Sequence, residues 1–289
     1  LRLMGAQIET EGGVLSCRCP DGLHGEKITL SFPSVGATEN ILIAAASAEG
    51  ETVILNAARE PEIADLADFL CSCGAHISGA GSGEITVCGM KKLHSAEHTV
   101  IPDRIIASTY MAAAAVTGGD VRILDTRAEH ITPVIPVFEQ AGCKVDCGEN
   151  SVHILAPVRL RSVQTVRTMP YPGFPTDSQA AVMAMLSVAH GTSVMIENIF
   201  ENRYRHVREL CRLGADIMTE GKVAVIKGVE TLTGACVCAA DLRAGTALAV
   251  AGLAAQGSTT IENVCLIDRG WQDMEEKLRS LGAEIERES

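Results

Sequence analysis

A single carboxylate, Asp177, follows a rigid stretch of backbone and precedes an apolar run that is typical of a helix. In the segment YPGFPTDSQA, residues 171–180, Pro172 and Pro175 come shortly before it, and each proline fixes its own φ angle. A rigid backbone ahead of one carboxylate raises the question of whether this carboxylate takes part in chemistry. Asp177 is therefore our first candidate functional residue, and a plain helix N-cap is the structural alternative.

Arginine side chains recur beside aspartates where helices are predicted to begin. Arg104, Arg243 and Arg269 lie in the segments PDRIIAS, AADLRAG and IDRGWQD, each within two residues of an aspartate. A cation in the first helical turn costs about 0.3–1 kcal/mol against the helix dipole, and a bound anion would reverse this cost. A surface ion pair with the neighbouring aspartate is the alternative. The corresponding N-cap candidates are Asp103, Asp177, Asp241 and Asp268.

Two further segments could contact an anion. Ser34, Val35 and Gly36 precede an alanine-rich run and offer a hydroxyl and backbone N–H groups to a phosphate, although many plain N-caps look the same. Arg203, in FENRYRH, follows a predicted strand, where loops commonly carry ligand contacts, and a solvated loop charge is the alternative. In NAAREPEI, a buried structural ion pair and a ligand contact remain equally open.

Composition excludes several classes of function. The 289 residues are 47% hydrophobic and carry a net charge of −12, which does not suit a basic nucleic-acid surface or any nucleic-acid partner. No apolar run is long enough to cross a membrane, so we expect no membrane association. Six of the eleven cysteines form three C-x-C pairs, and no zinc-like spacing occurs, which favours reduced thiols in the cytoplasm. We therefore expect neither a metal ion nor a cofactor.

A four-residue motif, glycine followed by a small residue, any residue and an aliphatic residue, recurs about every 70 residues. This period indicates a repeat architecture. Each unit reads as a helix, a strand, a second helix and two strands, and either a solenoid or a closed three-unit prism would satisfy the period. The chain starts at Leu1 in what reads as the end of a helix, so we expect that N-terminal residues are missing. The repeated glycines are Gly5, Gly74, Gly142, Gly214 and Gly282, and the first helices are predicted near 35–49, 104–116, 177–190 and 241–256.

Several of these motifs, in this order, resemble those of the UDP-N-acetylglucosamine enolpyruvyl transferase family. They are NAAREPEI, IPDR, YPGFPTD, IFENR, ADLRAG and IDRGW. The resemblance implies an α/β fold of two domains, in which each domain is an inside-out α/β barrel, or prism. The two domains together would contain six helix–strand repeats of about 70 residues, and four of these are present. Residues 1–101 would be the C-terminal part of an incomplete first domain. Residues 102–289 would be the second domain without its N-terminal strand segment.

The resemblance also implies a reaction and roles for individual residues. The family transfers the enolpyruvyl group of phosphoenolpyruvate to the 3′-hydroxyl of UDP-N-acetylglucosamine and releases phosphate, the first committed step of peptidoglycan synthesis, on which cell shape and division depend. Asp177 would be the base or the anchor of the sugar hydroxyl. The implied phosphoenolpyruvate ligands are Arg203, Arg243 and Arg269, the last two also catalytic. The implied contacts to the UDP-sugar are Ser34, Val35, Gly36, Asp177 and the backbone of Ile199.

Parts of the family pattern have no counterpart in these residues. The Lys-Asn pair and the loop with the acid cysteine or aspartate are absent, so we predict that this polypeptide alone is inactive. Phe32 stands where the family often has lysine, which puts one diphosphate contact in doubt. An enolpyruvylshikimate-phosphate synthase, a non-catalytic repeat scaffold and a truncated gene product remain alternatives. For the family's activity we expect a cytoplasmic monomer that acts on small molecules.

Overall fold

The computed structural model describes residues 1–90 and 92–288. The chain divides into two compact units. The first contains Leu1–Ile101 and the short segment Pro170–Pro172, and the second contains Pro102–Met169 and Gly173–Ser289. Each unit has its own cluster of buried apolar side chains.

The first unit contains two helices and six strands among its described residues. Its elements are β1 Gln7–Glu11, β2 Val14–Arg18, β3 Lys27–Thr29, α1 Val35–Ala45, β4 Glu51–Leu55, α2 Pro61–Ser72, β5 His76–Ser78 and β6 Glu84–Cys88. Strands β1 and β2 form an antiparallel hairpin. The other four strands form a sheet in the order β3-β4-β6-β5, in which β3 and β4 are parallel and the remaining pairs are antiparallel.

The second unit begins its first helix directly after Asp103. Its elements are α3 Arg104–Thr117, β7 Asp120–Leu124, α4 Ala128–Ile131, α5 Ile135–Gln140, β8 Lys144–Cys147, β9 Ser151–Leu155, β10 Thr165–Arg167, the 3₁₀ turn Thr176–Ser178, α6 Gln179–Leu186, β11 Thr192–Ile196, α7 Val207–Arg212, β12 Asp216–Glu220, β13 Val223–Lys227, β14 Leu232–Thr233, β15 Cys236–Cys238, α8 Leu242–Leu253, β16 Ala255–Gln256, β17 Thr260–Glu262, α9 Cys265–Asp268 and α10 Met274–Ser280. The sheet order β10-β11-β13-β12 repeats that of the first unit, with the same parallel and antiparallel pairings.

Helices form the centre of the second unit. Helices α3, α6 and α8 pack against one another, and all eight residues of α6 are buried. A helix that is apolar on every side must be covered on every side, so the sheets lie outside the helices. Small side chains allow close packing: a Cβ added at Gly245 in α8 would lie 2.5 Å from Cγ1 of Ile267 in α9.

The predicted repeat is confirmed by the order of elements. Helix, strand, helix and two strands follow one another in the repeats that begin with α1 and α6. In the repeat that begins with α3, the two short helices α4 and α5 take the place of the second helix, and the fourth repeat begins with α8 and has no strand between α10 and residue 288. The repeated glycines share one role, because each lies in the left-handed region with φ between 92° and 101° and donates its N–H to the carbonyl three residues earlier. These glycines are Gly5, Gly74, Gly142, Gly214 and Gly282.

The predicted ends of the first helices were partly wrong. Helix α1 stops at Ala45 rather than near 49, and α8 stops at Leu253 rather than near 256. The third helix does not begin at Asp177, because Thr176–Ser178 form a 3₁₀ turn before α6. Helix α6 ends at Leu186 rather than near 190. Just beyond its end, the N–H of Ala189 donates to the carbonyl of Leu186 three residues earlier, which is the spacing of a 3₁₀ turn. No helix in the described part of the chain is long and apolar enough to span a membrane.

Candidate active site

The carboxylate of Asp177 receives two guanidinium groups. Nη2 of Arg243 lies 3.0 Å from its Oδ2, and Nη2 of Arg203 donates to its Oδ1. The Asp177 side chain is 39% exposed, so one side of the ion-paired carboxylate still faces solvent. The alternative of a plain N-cap was wrong for Asp177, because its oxygens accept from arginine side chains and no side-chain cap bond is made at this turn.

Two of the other aspartates are N-caps, as predicted. The carboxylate of Asp103 accepts from the N–H groups of Ile105 and Ile106, and that of Asp241 accepts from Ala244 at 2.8 Å. Each cap fixes the start of a helix whose first turn carries an arginine. In α8 this arginine is Arg243, so the Asp241 cap sets the direction from which Arg243 approaches Asp177.

The residues on either side of Asp177 are tied to the protein interior. The Thr176 hydroxyl donates to Oε2 of Glu197 at 2.9 Å. The Ser178 hydroxyl lies 2.7 Å from that of Ser108 in α3, and both groups are buried. With both neighbours held inward, the Asp177 side chain is directed away from the core.

Arg203 reaches Asp177 from the loop that follows β11. Its guanidinium carbon lies 5.1 Å from the centre of the Phe200 ring, a distance at which a cation is attracted to an aromatic face. The Arg203 side chain is 18% exposed, and its buried Nε has no hydrogen-bond partner among the described residues. This arginine therefore keeps a free donor in addition to the one that binds Asp177.

The charges around Asp177 keep its carboxyl group ionised. Burial by itself raises the pKa of this carboxyl, but the positive charges of Arg243 and Arg203 outweigh the burial. The hydrogen bond from Arg243 and the charge of Arg104 act in the same direction, so the net pKa lies below its ordinary value. At neutral pH the site is therefore a carboxylate anion with the positive charges of three arginines near it, and these charges can attract an anionic ligand.

The structure does not bring Arg269 into this ion-paired group. Arg269 is exposed and follows the short helix α9, so the prediction that it lies in a first helical turn was wrong. Asp268, also predicted as an N-cap, ends α9 and accepts from Arg287 at 2.7 and 3.0 Å. Within the described part of the chain Arg269 makes no ion pair, and it lines a pocket of about 720 Å³ together with Lys277 and Arg287.

The residues predicted to contact a UDP-sugar lie in both units. In the first unit, the Ser34 hydroxyl caps α1 by accepting from Ala37 at 3.3 Å, and Gly36 is exposed, with open space where a Cβ would be. Val35 is the first residue of that helix. In the second unit, the N–H of Ile199 donates to Oε1 of Glu197 at 2.8 Å, which leaves the Ile199 carbonyl as its backbone group for a ligand.

Sequence reasoning missed Glu197, Thr176 and Ser178. Glu197 is fully buried, although it directly follows the strand residues TSVMI of β11. A carboxylate at the end of an apolar strand is a signal that could have been noticed, because such residues are seldom buried unless paired. The hydroxyls of Thr176 and Ser178 gave no signal, since their partners are distant in sequence.

His206 makes the stability of this region dependent on pH. It is 2% exposed, and burial lowers its pKa from 6.5 to about 4 despite the opposing charge of Asp241. The unfolded chain therefore binds a proton at this histidine as pH falls through 6.5, whereas the folded chain binds it only near pH 4. The contribution of His206 to the free energy of unfolding is therefore fully present above pH 6.5 and is lost as pH falls toward 4. The loss should approach about 3 kcal/mol.

Calorimetric melting temperatures between pH 7 and pH 4.5 check this prediction. We expect His206→Gln, which cannot titrate, to lose less stability on acidification than the unaltered protein. His190→Gln is the matched control, because His190 is exposed. An equal loss in His206→Gln and the unaltered protein would contradict the assignment.

Comparison with known proteins gives a consistent result across the whole chain. A family model described as EPSP synthase (3-phosphoshikimate 1-carboxyvinyltransferase) matches residues 1–278. The chain is 48% identical over 287 residues to UDP-N-acetylglucosamine 1-carboxyvinyltransferase 2 of Caldanaerobacter subterraneus subsp. tengcongensis, covering 99% of this chain and 69% of that relative. It is 49% identical over 288 residues to UDP-N-acetylglucosamine 1-carboxyvinyltransferase of Finegoldia magna, covering 99% and 68%.

Solved structures show the same fold. The enolpyruvyl transferase NikO from Streptomyces tendae superimposes with a TM-score of 0.89 at 26% identity, covering 99% of this chain and 70% of that chain. EPSP synthase from Acinetobacter baumannii superimposes with a TM-score of 0.73 at 25% identity, covering 99% and 69%. The predicted α/β fold of the enolpyruvyl transferase type is thereby confirmed.

Proposed function

The chain belongs to the family of UDP-N-acetylglucosamine 1-carboxyvinyltransferases, and we propose that it transfers the enolpyruvyl group of phosphoenolpyruvate to the 3′-hydroxyl of UDP-N-acetylglucosamine. Phosphate is the second product. The observation that carries the proposal is the Asp177 carboxylate between Arg203 and Arg243, because it combines a proton acceptor with two cations for an anionic donor. The reaction would serve peptidoglycan synthesis in the cytoplasm, with the enzyme acting as a monomer.

Asp177 would take the proton of the sugar hydroxyl. As the hydroxyl oxygen bonds to C2 of phosphoenolpyruvate, its proton must leave, and an ionised carboxylate within about 2.6–3.2 Å can accept it. The C2=C3 double bond opens as C3 takes up a proton from an acid, and it forms again when C3 loses a proton and the bond from C2 to the phosphate oxygen breaks. The ties of Thr176 and Ser178 to the interior support this role, because they fix the turn from which the carboxylate projects. The low pKa of Asp177 in the free protein means that the carboxylate is ready as a base at neutral pH.

Arg203 and Arg243 would bind the carboxylate and phosphate of phosphoenolpyruvate. Both side chains are only about one-fifth exposed, at 18% and 21%, so their charges are less screened by water than those of surface arginines. When the anionic donor takes up part of their hydrogen-bonding capacity, Asp177 loses some of its stabilisation as an anion and becomes a stronger base. We propose Arg269 as a further phosphoenolpyruvate ligand from the family resemblance.

The UDP part of the acceptor would bind at the start of α1. Ser34, Val35 and Gly36 offer a helix N-terminus with open space beside Gly36, a common arrangement for diphosphates. The backbone of Ile199 would contact the sugar nucleotide. The start of α1 and Ile199 thus remain proposed contacts, each supported by its local geometry.

A second candidate function has the same enolpyruvyl donor and a different acceptor. The matching family model and one similar structure are of EPSP synthases, whose acceptor would be a small phosphorylated ring. The motifs FPTD and FENR in this chain favour the nucleotide sugar. The two functions share the enolpyruvyl donor and differ only in the acceptor, so an acceptor test separates them.

The test uses the complete gene product with phosphoenolpyruvate and either UDP-N-acetylglucosamine or shikimate 3-phosphate. We expect phosphate release only with UDP-N-acetylglucosamine, together with a product whose mass shows one added enolpyruvyl group. Release only with shikimate 3-phosphate would favour the other acceptor. No release with either acceptor, and no binding of phosphoenolpyruvate, would support a non-catalytic protein.

A further inference from the structure

Glu197 is a buried carboxylate that gathers hydrogen bonds from several segments of the second unit. It follows the last residue of β11 and is fully buried. Its Oε1 accepts from the N–H groups of Ile199 and Phe200, at 2.8 and 3.0 Å, and from the Thr168 hydroxyl at 2.9 Å. Three donors on one oxygen fix the path of the loop that leaves β11.

The second oxygen reaches the other side of the site. Oε2 of Glu197 accepts from the Thr176 hydroxyl at 2.9 Å, and Thr176 immediately precedes Asp177. The Thr168 hydroxyl itself accepts from the N–H of Asn198 at 2.8 Å, so its own proton is directed to Glu197. All the neighbours donate, which suits an ionised carboxylate because that group only accepts.

A buried carboxylate costs free energy unless hydrogen bonds or an ion pair replace its contacts with water. Within the described part of the chain Glu197 has no ion-pair partner, and neutral donors replace the water it has lost. Burying a carboxylate in this way is unfavourable unless hydrogen bonds replace the lost water, and here four donors from three segments replace it. A neutral side chain would satisfy two or three donors at lower cost.

We infer that Glu197 is a positioning residue for the transfer reaction. Through Thr176 it holds the turn that presents Asp177, and through Ile199 and Phe200 it holds the loop that carries Arg203. A single carboxylate thus sets the distance between the base and one of its arginines. The inference rests on the proposed function, because positioning is measured by its effect on that reaction.

The first variant is Glu197→Gln in the complete gene product. The glutamine oxygen can replace Oε1, while its amide faces Thr176 and reverses the direction of that hydrogen bond. We expect kcat to fall about 10- to 100-fold, because small displacements of reacting groups cost this much. The KM for UDP-N-acetylglucosamine should change less than about threefold, since few ligand contacts are removed.

The second variant, Thr176→Val, keeps Glu197 and its three other hydrogen bonds. It removes only the tie to Asp177 and therefore keeps the inference testable if Glu197→Gln does not fold. We expect a fall in kcat of similar size. Thr192→Val is the matched control, because Thr192 is exposed at the start of β11 and should leave kcat unchanged.

A double-mutant cycle with Asp177→Asn separates positioning from general destabilisation. Because Thr176→Val removes only the tie to Asp177, adding it to Asp177→Asn should change single-turnover product formation by less than about threefold if the tie acts through Asp177. A full additional loss in the double variant would overturn the inference. An unchanged kcat in well-folded Glu197→Gln and Thr176→Val would overturn it as well.

Failure of the proposed function would be recognised separately. In that case the unaltered protein forms no enolpyruvyl product, whereas the position of Asp177 can still be measured in a crystal structure of Thr176→Val. We expect that structure to show the turn Thr176–Ser178 displaced and the Arg203–Asp177 contact lengthened. An unmoved Asp177 would contradict the positioning role whatever the reaction is.

Discussion

Asparagine in place of Asp177 should lower kcat about 10²- to 10⁴-fold, the range that removal of a general base usually produces. The amide has nearly the same shape but cannot accept the hydroxyl proton. Binding of UDP-N-acetylglucosamine, measured by calorimetry, should change little, because the hydrogen-bonding oxygen at Oδ1 remains. The assay is phosphate release by the complete gene product at saturating concentrations of both substrates.

Asp103→Asn is the matched control for this substitution. Asp103 caps α3 through two backbone N–H groups, and asparagine caps a helix nearly as well. We expect this variant to keep its activity. Near-normal turnover by Asp177→Asn would reduce Asp177 to a structural partner of the two arginines, and the proposed base would have to be sought elsewhere.

Methionine in place of Arg243 should lower kcat/KM for phosphoenolpyruvate about 10²- to 10³-fold, as loss of one placed donor to a developing charge typically does. Methionine retains the apolar length of the side chain and removes the guanidinium. The pKa of Asp177 should rise at the same time, because Arg243 contributes both charge and a hydrogen bond to the carboxylate. The acidic limb of the pH–rate profile should therefore move to higher pH.

Two comparisons make the Arg243 result specific. Arg243→Lys keeps the charge and loses the fork of donors, so it should recover only part of the activity. Arg122→Met is the control, because Arg122 is exposed on β7 and outside the site. An unchanged kcat/KM for phosphoenolpyruvate in Arg243→Met, or a loss confined to the UDP-sugar, would contradict the assigned role.

The repeated structure could be predicted from sequence because its signals are local. A glycine with positive φ follows the second helix of each repeat, and the strands β4, β7 and β11 are five-residue runs rich in β-branched side chains. The caps Asp103 and Asp241 were also predictable, since a cap binds N–H groups two or three residues away. Asp177 has the same sequence context but a different role, because its partners come from elsewhere in the chain.

The arrangement of the site depends on contacts between distant residues. Arg203 and Arg243 lie 26 and 66 residues from Asp177 along the chain, and sequence spacing does not say which arginine reaches it. The hydrogen bonds of Glu197 join β11 to residues 21 and 29 positions away. Arg269 illustrates the same limit in the opposite direction. Its sequence context resembles that of Arg243, and yet it lies outside the group formed by Asp177, Arg203 and Arg243.

The measurement that tests the central claim most directly is a crystal structure of the complete gene product with UDP-N-acetylglucosamine bound. The account predicts that the 3′-hydroxyl oxygen lies about 2.6–3.2 Å from a carboxylate oxygen of Asp177, within reach for proton transfer. A 3′-hydroxyl that lies well beyond hydrogen-bond distance from Asp177, with the sugar held elsewhere, would contradict it.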